Sequence, residues 1–258
     1  MASWPQPLLI AYAFAIGAVV GSFLNVLIYR VPRRISIVSP GSHCPSCSAP
    51  IRWFDNVPLV SWLVLRARCR RCAARIPVRY PAVEALGGLV AVATVLRYGV
   101  TVSGLEVVVF AWLSLALALI DLEHQILPDV MTYPAIALGL LFAWLGGLTT
   151  PADALAGAIV GAAIPALVIV LYKLIRGIEG MGWGDVKYLA AIGATVGLRD
   201  CLWVLVLAAM LGALVGIGLI IAGRGSSRTA LPFGTFLAVA VLVWLFLPAG
   251  WMPPGLGQ

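Results

Sequence analysis

The sequence predicts an all-α polytopic membrane protein, a bundle of about eight transmembrane helices with one small polar loop inserted. Composition is the first observation: of 258 residues, 62% are hydrophobic and only 10% are charged, and the mean hydropathy is +1.05. Soluble domains usually carry about 25% charged residues. The second observation is that apolar stretches long enough to cross a bilayer recur along the chain and are interrupted by a single long polar segment.

The first apolar stretch has no Lys or Arg before Arg30, so it lacks the basic start of a signal peptide and is expected to remain as a spanning helix. We expect a first transmembrane helix within residues 1–30, a loop over 31–82 and a transmembrane helical bundle over 83–258. The eight predicted spans lie near residues 7–30, 83–97, 104–121, 130–147, 153–175, 185–199, 201–222 and 231–250.

The cations fall almost entirely on one side of this predicted bundle, which is the third observation. With the N-terminus outside, only Arg97 and Arg199 of the 17 Lys and Arg residues lie on the outer side. Cytoplasmic loops carry the excess of Lys and Arg, so the inner loops are expected to face the cytoplasm. The net charge of +7 comes without a basic amphipathic run or an aromatic platform, which argues against a nucleic-acid partner.

The loop over residues 31–82 carries Cys44, Cys47, Cys69 and Cys72 as two Cys-x-x-Cys pairs. Each pair offers two thiolates from one tight turn, and two such turns complete a tetrahedral site. This pattern predicts a structural zinc in a zinc-ribbon-like loop. A disulfide in each pair is the alternative, which is disfavoured because the cytoplasm keeps thiols reduced. A catalytic zinc would need an open ligand position, and the adjacent His43 is too weak an indication of one.

Two aspartates at the ends of apolar segments are the candidate catalytic residues. Asp121 ends the segment FAWLSLALALID, and Asp185 begins another segment within GMGWGDVK. A charged group at a bilayer boundary is costly, and the predicted topology puts both aspartates on the inner face. Two carboxylates that share a site cannot both ionise. Such a pair can hydrolyse an amide, with one carboxylate as general base on water and the other as proton donor.

The neighbours of these aspartates are expected to support the site. Gly182 and Gly184 are expected to leave room beside Asp185 for an extended substrate backbone and to supply backbone angles that other residues resist. Asp129 is expected to cap the helix that follows it. Lys187 is either an anchor at the membrane face or a cation beside an acid. From spacing alone, a proton relay in a transporter fits the two aspartates as well as a protease does.

Six motifs follow one another along the chain: GSFLNVLIYRVP at 21–32, NVPLVSWLVLR between the cysteine pairs, RYPAVE at 79–84, IDLEHQILPD at 120–129, GMGWGDVK at 180–187 and PFG at 232–234. Together they resemble the type IV prepilin peptidases, the membrane aspartic proteases that mature type IV pilins and type II secretion pseudopilins. The resemblance covers nearly the whole chain. The stretch after Pro32 is compact and lacks the longer insertion that some members carry.

The resemblance implies that Asp121 and Asp185 are the catalytic pair. It implies a prepilin or pseudoprepilin substrate, with its basic leader in the cytoplasm and its apolar helix in the bilayer of the bacterial inner membrane, cut after a glycine. It also implies N-methylation of the new N-terminus from S-adenosylmethionine, although no glycine-rich dinucleotide-type loop locates that site. Glu84 is expected either to bind the substrate amine or methyl donor, or to pair with Arg79. An assembly scaffold that docks through its cysteine loop is the remaining alternative.

Overall fold

The computed structural model describes residues 5–177, 181–224 and 231–247. Within these ranges the chain is almost entirely helical, and extended pairing is limited to two isolated bridges in the cysteine loop. The predicted all-α fold is therefore confirmed. The chain divides into two compact units, Met1–Gly99 and Val100–Gln258. The three-part division expected from the sequence stays a prediction.

The first unit contains two long helices, α1 (Gln6–Arg30) and α3 (Arg79–Tyr98), which pack against each other. A Cβ on Gly21 of α1 would lie 2.7 Å from the backbone of α3, so the absence of a side chain there permits this close approach. The intervening loop holds a 3₁₀ turn, Trp53–Asn56, and the short helix α2, Val60–Val64. Neither of these short elements was expected from hydrophobic patterning.

The described residues of the second unit form six helices, and the fourth of them packs against four of the others. Helix α7 contacts α5, α6, α8 and α9, and most of its residues are buried. A Cβ on Gly157 of α6 would lie 2.8 Å from the carbonyl carbon of Gly193 of α7, so these two backbones lie nearly in contact. The six helices are α4 (Val102–His124), α5 (Asp129–Trp144), α6 (Pro151–Arg176), α7 (Trp183–Val196), α8 (Leu198–Ile221) and α9 (Phe233–Phe246).

Each of the eight predicted spans corresponds to one helix among the described residues. Helices α1, α3, α4, α6 and α8 are long and apolar enough to cross a membrane, and α5 and α9 are shorter apolar helices. The protein is thus a multi-pass membrane protein. The break between α7 and α8 lies at Gly197, not near residue 200 as predicted, because Gly197 has φ +84° and ends α7. Helix α3 begins at Arg79, four residues before the predicted span.

Candidate functional site

Asp121 lies in the last turn of α4 and is buried. Gln125 caps the C-terminus of α4: its φ of 53° is left-handed, and its N–H donates to the Asp121 carbonyl at 2.8 Å. The Asp121 carboxylate accepts a hydrogen bond of 2.7 Å from the backbone N–H of Thr235. The Thr235 hydroxyl lies 3.1 Å from both Asp121 Oδ2 and the Ala118 carbonyl, so its single proton bonds one of them at a time. The first turn of α9 therefore fixes the orientation of Asp121.

Asp185 lies in the first turn of α7 and is also buried. Its carboxylate accepts a hydrogen bond from the Gly182 N–H, and its own N–H donates to the Gly182 carbonyl at 3.1 Å. Asp121 lies close enough for its negative charge to repel the charged form of the Asp185 carboxyl group. The structure thus brings together, within one unit, the two aspartates that the sequence places 64 residues apart, and nearly all of their surface is shielded from solvent.

Leu127 fills the space between the segments that carry the two aspartates. A Cβ on Gly184 would lie 2.9 Å from Leu127 Cβ, and a Cβ on Gly234 would lie 2.7 Å from Leu127 Cδ1. Gly184 therefore makes room for Leu127 in this structure, whereas a Cβ on Gly182 would meet nothing closer than 3.6 Å. The expectation of unusual backbone angles is wrong for both glycines. Gly182 has φ −81° and ψ 145°, and Gly184 lies within regular helix α7.

The four cysteines of the loop form a cluster whose ligand atoms all lie within 4.8 Å of one another. The Cys44 and Cys72 sulfur atoms are 3.8 Å apart. A tetrahedron with Zn–S bonds of about 2.3 Å has edges of about 3.8 Å, so this spacing suits a zinc ion. The four cysteines are free thiols, and His43 is not part of the cluster. The cluster could hold a metal ion, as predicted.

Two turns of the same design present these sulfurs. In the first, the Cys44 N–H donates to the Ala49 carbonyl at 2.9 Å, and in the second, the Cys69 N–H donates to the Ala74 carbonyl at 2.8 Å. Backbone N–H groups of Cys72 and Arg71 donate to the Cys69 sulfur and lower the pKa of this thiol to about 6. These donors favour the thiolate at Cys69, which is the form that binds metal. In the same turn the pKa of Cys72 is raised to about 11 despite a bond from the Ala74 backbone, because burial and the neighbouring cysteine sulfurs disfavour a second negative charge.

Comparisons with known proteins identify the family to which the chain belongs. Residues 15–98 match the Bacterial Peptidase A24 N-terminal domain, and residues 108–217 match the Type IV leader peptidase family. The Prepilin leader peptidase/N-methyltransferase of Pseudomonas putida is 40% identical to this chain, over 90% of the chain and 88% of the relative. The chain belongs to the type IV leader peptidase family.

Two further relatives are also named Prepilin leader peptidase/N-methyltransferase. The Aeromonas hydrophila protein is 38% identical over 90% of the chain and 89% of its own length. The Myxococcus xanthus protein is 44% identical over 86% of the chain and 67% of its own length. No solved structure matches the chain.

Lys187 of this family member forms an ion pair with Asp129 and lies 5.2 Å from the centroid of the Tyr133 ring. The predicted capping role of Asp129 is wrong: Pro128 occupies the N-cap position of α5, and no side chain bonds the cap. Asp129 is the first residue of α5, where a negative charge is still favoured by the helix dipole. The pair therefore links the N-terminal parts of α5 and α7.

Glu84 lies in the first unit of this family member, on α3, and is buried. Its carboxylate accepts a hydrogen bond of 2.7 Å from the Leu59 N–H and a second from the Ser22 side chain. Among the described residues, its bonds do not include Arg79. Glu84 therefore ties α1, α3 and the start of α2 together.

Sequence reasoning missed Thr235 and Leu127. The motif PFG was noticed, but Thr235 directly after it makes the bonds to Asp121. Leu127 lies within the quoted segment IDLEHQILPD, where its apolar side chain gave no sign of packing against Gly184 and Gly234. Gly180, the first residue of the segment GMGWGDVK, lies outside the described residues.

Proposed function

We propose that this chain is a membrane aspartic endopeptidase that removes the basic leader of type IV prepilins or type II secretion pseudoprepilins, and that it N-methylates the new N-terminus with S-adenosylmethionine. The observation that carries the peptidase assignment is the pair of buried carboxylates, Asp121 and Asp185, which α4, α7 and α9 hold in one site. Membership of the type IV leader peptidase family supports the substrate class.

The hydrogen bonds suggest how the two carboxylates divide the work. Asp121 accepts bonds from the Thr235 N–H and hydroxyl, which suits a carboxylate that acts as general base. It takes a proton from water while the water oxygen bonds to the scissile carbonyl carbon. Asp185 donates its proton to the carbonyl oxygen. On collapse of the tetrahedral intermediate the C–N bond breaks, a proton from the Asp121 carboxyl goes to the departing amine, and one hydroxyl of the intermediate returns its proton to Asp185 as the C=O bond re-forms.

Gly182 and Lys187 support this site in the proposal. Gly182 is exposed and adjoins the Asp185 carboxylate, so an extended substrate backbone has room to approach there. Lys187 neutralises Asp129 next to the pair, which limits the negative charge around the two aspartates. Gly184 contributes through its contact with Leu127, which fixes the spacing between the two catalytic segments.

We propose that the metal of the cysteine loop is zinc, held by Cys44, Cys47, Cys69 and Cys72. Four thiolates complete a tetrahedral shell, which is the arrangement of structural zinc sites. When bound, zinc cross-links two turns that have little apolar core around them. Its role in the proposal is to stabilise the loop.

S-adenosylmethionine enters the proposal from the name of the relatives. Glu84, the residue expected to bind it, does not fit this role in the structure. Its carboxylate is buried and already accepts bonds from Leu59 and Ser22. We therefore derive no step of methyl transfer from the geometry of Glu84.

We propose that the protein lies in the bacterial inner membrane, with its N-terminus outside and the aspartate pair towards the cytoplasm. The distribution of Lys and Arg supports this orientation. Alternating passes put the end of α4 and the starts of α7 and α9 on one side, which agrees with the shared location of Asp121, Asp185 and Thr235. The leader of a prepilin would meet the pair on that side.

Mass spectrometry of a prepilin incubated with the purified protein tests the proposal. Wild type is expected to remove the leader, and Asp121→Asn and Asp185→Asn are each expected to lose roughly 10²- to 10⁴-fold in rate, because each removes one proton-transfer group. Added S-adenosylmethionine is expected to increase the mass of the product by one methyl group.

Asp55→Asn is the control, since it removes an acid of the cysteine loop and leaves the Lys187–Asp129 ion pair and both catalytic carboxylates in place. Cleavage by the Asp121→Asn protein at the wild-type rate would contradict the peptidase assignment. Cleavage without any methylated product would remove the methyltransferase assignment alone.

A further inference from the structure

A cavity of about 370 Å³ lies in the first unit, between the second half of α1 and the loop that follows it. One wall consists of Val19, Phe23, Val26 and Arg30 of α1. These residues are spaced by three or four positions, so they share one face of the helix. Ligand sites commonly have volumes of about 300–1,000 Å³. None of the residues assigned above to the aspartate site or the cysteine cluster lines this cavity.

Arg30 gives the cavity its charge. It is the last residue of α1, and it is 7% exposed. Its guanidinium donates to the Ser36 carbonyl at 2.8 Å and to the Gly41 carbonyl at 3.3 Å. Three of its five N–H donors are thus unused by the described residues. No acidic side chain pairs with Arg30 or lines the cavity within the described parts of the chain. A buried guanidinium without an anion is costly, so an anionic ligand would be stabilised there.

The α1 side of the wall is apolar at Val19, Phe23 and Val26, whereas Ser22, Ser42 and Asn56 add polar groups elsewhere in the lining. Val19 is 59% exposed and Phe23 is 47% exposed, although both lie in the middle of a predicted span. Arg30 ends that span, so it lies at the level where lipid headgroups meet the hydrocarbon. The cavity therefore combines an anion-binding group at headgroup level with an apolar face that runs along the acyl chains.

We infer that this cavity binds an anionic phospholipid, with its phosphate on Arg30 and one acyl chain along Val26, Phe23 and Val19. Guanidinium groups bind phosphate by paired N–H donors. Soluble phosphate offers nothing for the apolar wall. S-adenosylmethionine carries a sulfonium and an ammonium group, for which the cavity provides no acid. A phospholipid provides both a phosphate for Arg30 and an acyl chain for the apolar residues of α1.

Native mass spectrometry of the full-length protein in detergent tests this inference. Phosphatidylglycerol is expected to bind as a stoichiometric adduct that survives removal of detergent. Dioleoylglycerol, which lacks the phosphate, and glycerol 3-phosphate, which lacks the acyl chains, are each expected to bind at least about tenfold more weakly. S-adenosylmethionine is the fourth ligand in the series and is not expected to compete with phosphatidylglycerol.

Val38 lines the cavity and is 84% exposed. Because it is exposed, a substitution there is expected to leave the fold intact. Val38→Asp adds a negative charge at the cavity and is expected to weaken phosphatidylglycerol binding severalfold, whereas Val38→Asn keeps the size without the charge and should bind as wild type does. Arg30→Gln is expected to reduce binding by about tenfold or more. Arg33→Gln is its control, because Arg33 stacks on Tyr29 and does not line the cavity.

Equal binding of phosphatidylglycerol and dioleoylglycerol would overturn the inference, as would equal binding by the two Val38 variants. Displacement of the lipid by S-adenosylmethionine, with loss of that displacement in Val38→Asp or Arg30→Gln, would assign the cavity to the methyl donor and also overturn it.

Discussion

The cysteine loop and the aspartate site are each assembled from two short motifs far apart in the sequence, yet they hold their groups by different means. In the loop, each Cys-x-x-Cys turn is closed by its own backbone hydrogen bonds, such as that from the Cys44 N–H to the Ala49 carbonyl. At the aspartate site, Asp121 is held by Thr235, 114 residues away. The comparison teaches that the metal-binding geometry is local, whereas the catalytic geometry depends on how whole helices pack.

Removal of a metal ligand is expected to give the largest difference in effect between the two sites, because zinc content should fall while cleavage changes little. Cys44→Ser and Cys72→Ser should each lose most of the bound zinc, because three thiolates do not close the tetrahedral shell. Zinc content by elemental mass spectrometry and melting temperature would be measured beside prepilin cleavage. Cleavage by the protein that remains folded is expected to change only modestly. Full zinc content in both variants would contradict the zinc assignment. Cys201→Ser is the control, because Cys201 is buried on α8.

A change in helix packing should have the opposite effect. A leucine at Gly157 would press into Gly193 and Gly197, where a Cβ already lies 2.8 Å from backbone carbons. Such overpacking typically costs about 1–3 kcal/mol of stability, and it should shift α7 together with Asp185. Cleavage is expected to fall while zinc content stays at the wild-type level. Gly218→Leu is the matched control, since nothing lies within 4 Å of a Cβ there.

Loss of one hydrogen bond at the aspartate site should have a smaller effect. Thr235→Val keeps the shape of the side chain and the backbone N–H donor but removes the hydroxyl beside Asp121. Hydrogen bonds to charged groups contribute about 1.5–3 kcal/mol, so the cleavage rate should fall by about tenfold or more. Thr235→Ser restores the hydroxyl and should recover most of the rate. If both variants cleave as wild type does, the hydroxyl has no positioning role.

The smallest effect is expected in the loop. The guanidinium of Arg70 holds the pKa of Asp55 below its ordinary value through hydrogen bonds of 2.6–3.1 Å. An acid with a lowered folded pKa stabilises the fold above its ordinary pKa of about 3.9, and this contribution disappears as the pH falls through the lowered value. Asp55→Asn should therefore lower the melting temperature slightly at pH 7 and not at all in strong acid. An equal difference at both pH values would exclude the ion pair as its cause.

Hydrophobic patterning predicted the helices well because each span must be apolar along its whole length. It placed the α7–α8 break near residue 200, because the charged residues Arg199 and Asp200 mark a boundary there, whereas the backbone turns at Gly197, where φ is positive. The cysteine cluster followed from local spacing. Thr235 and Leu127 could not be predicted in this way, because their contacts with Asp121, Gly184 and Gly234 arise from helix packing and leave no local pattern.

Helices α7 and α9 have 14 residues each, which corresponds to a length of about 21 Å. The hydrocarbon core of a bilayer is about 30 Å thick, so neither helix reaches both surfaces. Asp185 and Thr235 lie in the first turns of these two helices. With the far ends of both helices at the outer surface, the turns that carry Asp185 and Thr235 would lie about 9 Å below the headgroups on the other side. In the proposed function the peptide bond would then be hydrolysed at membrane depth, and the substrate helix would not need to leave the lipid.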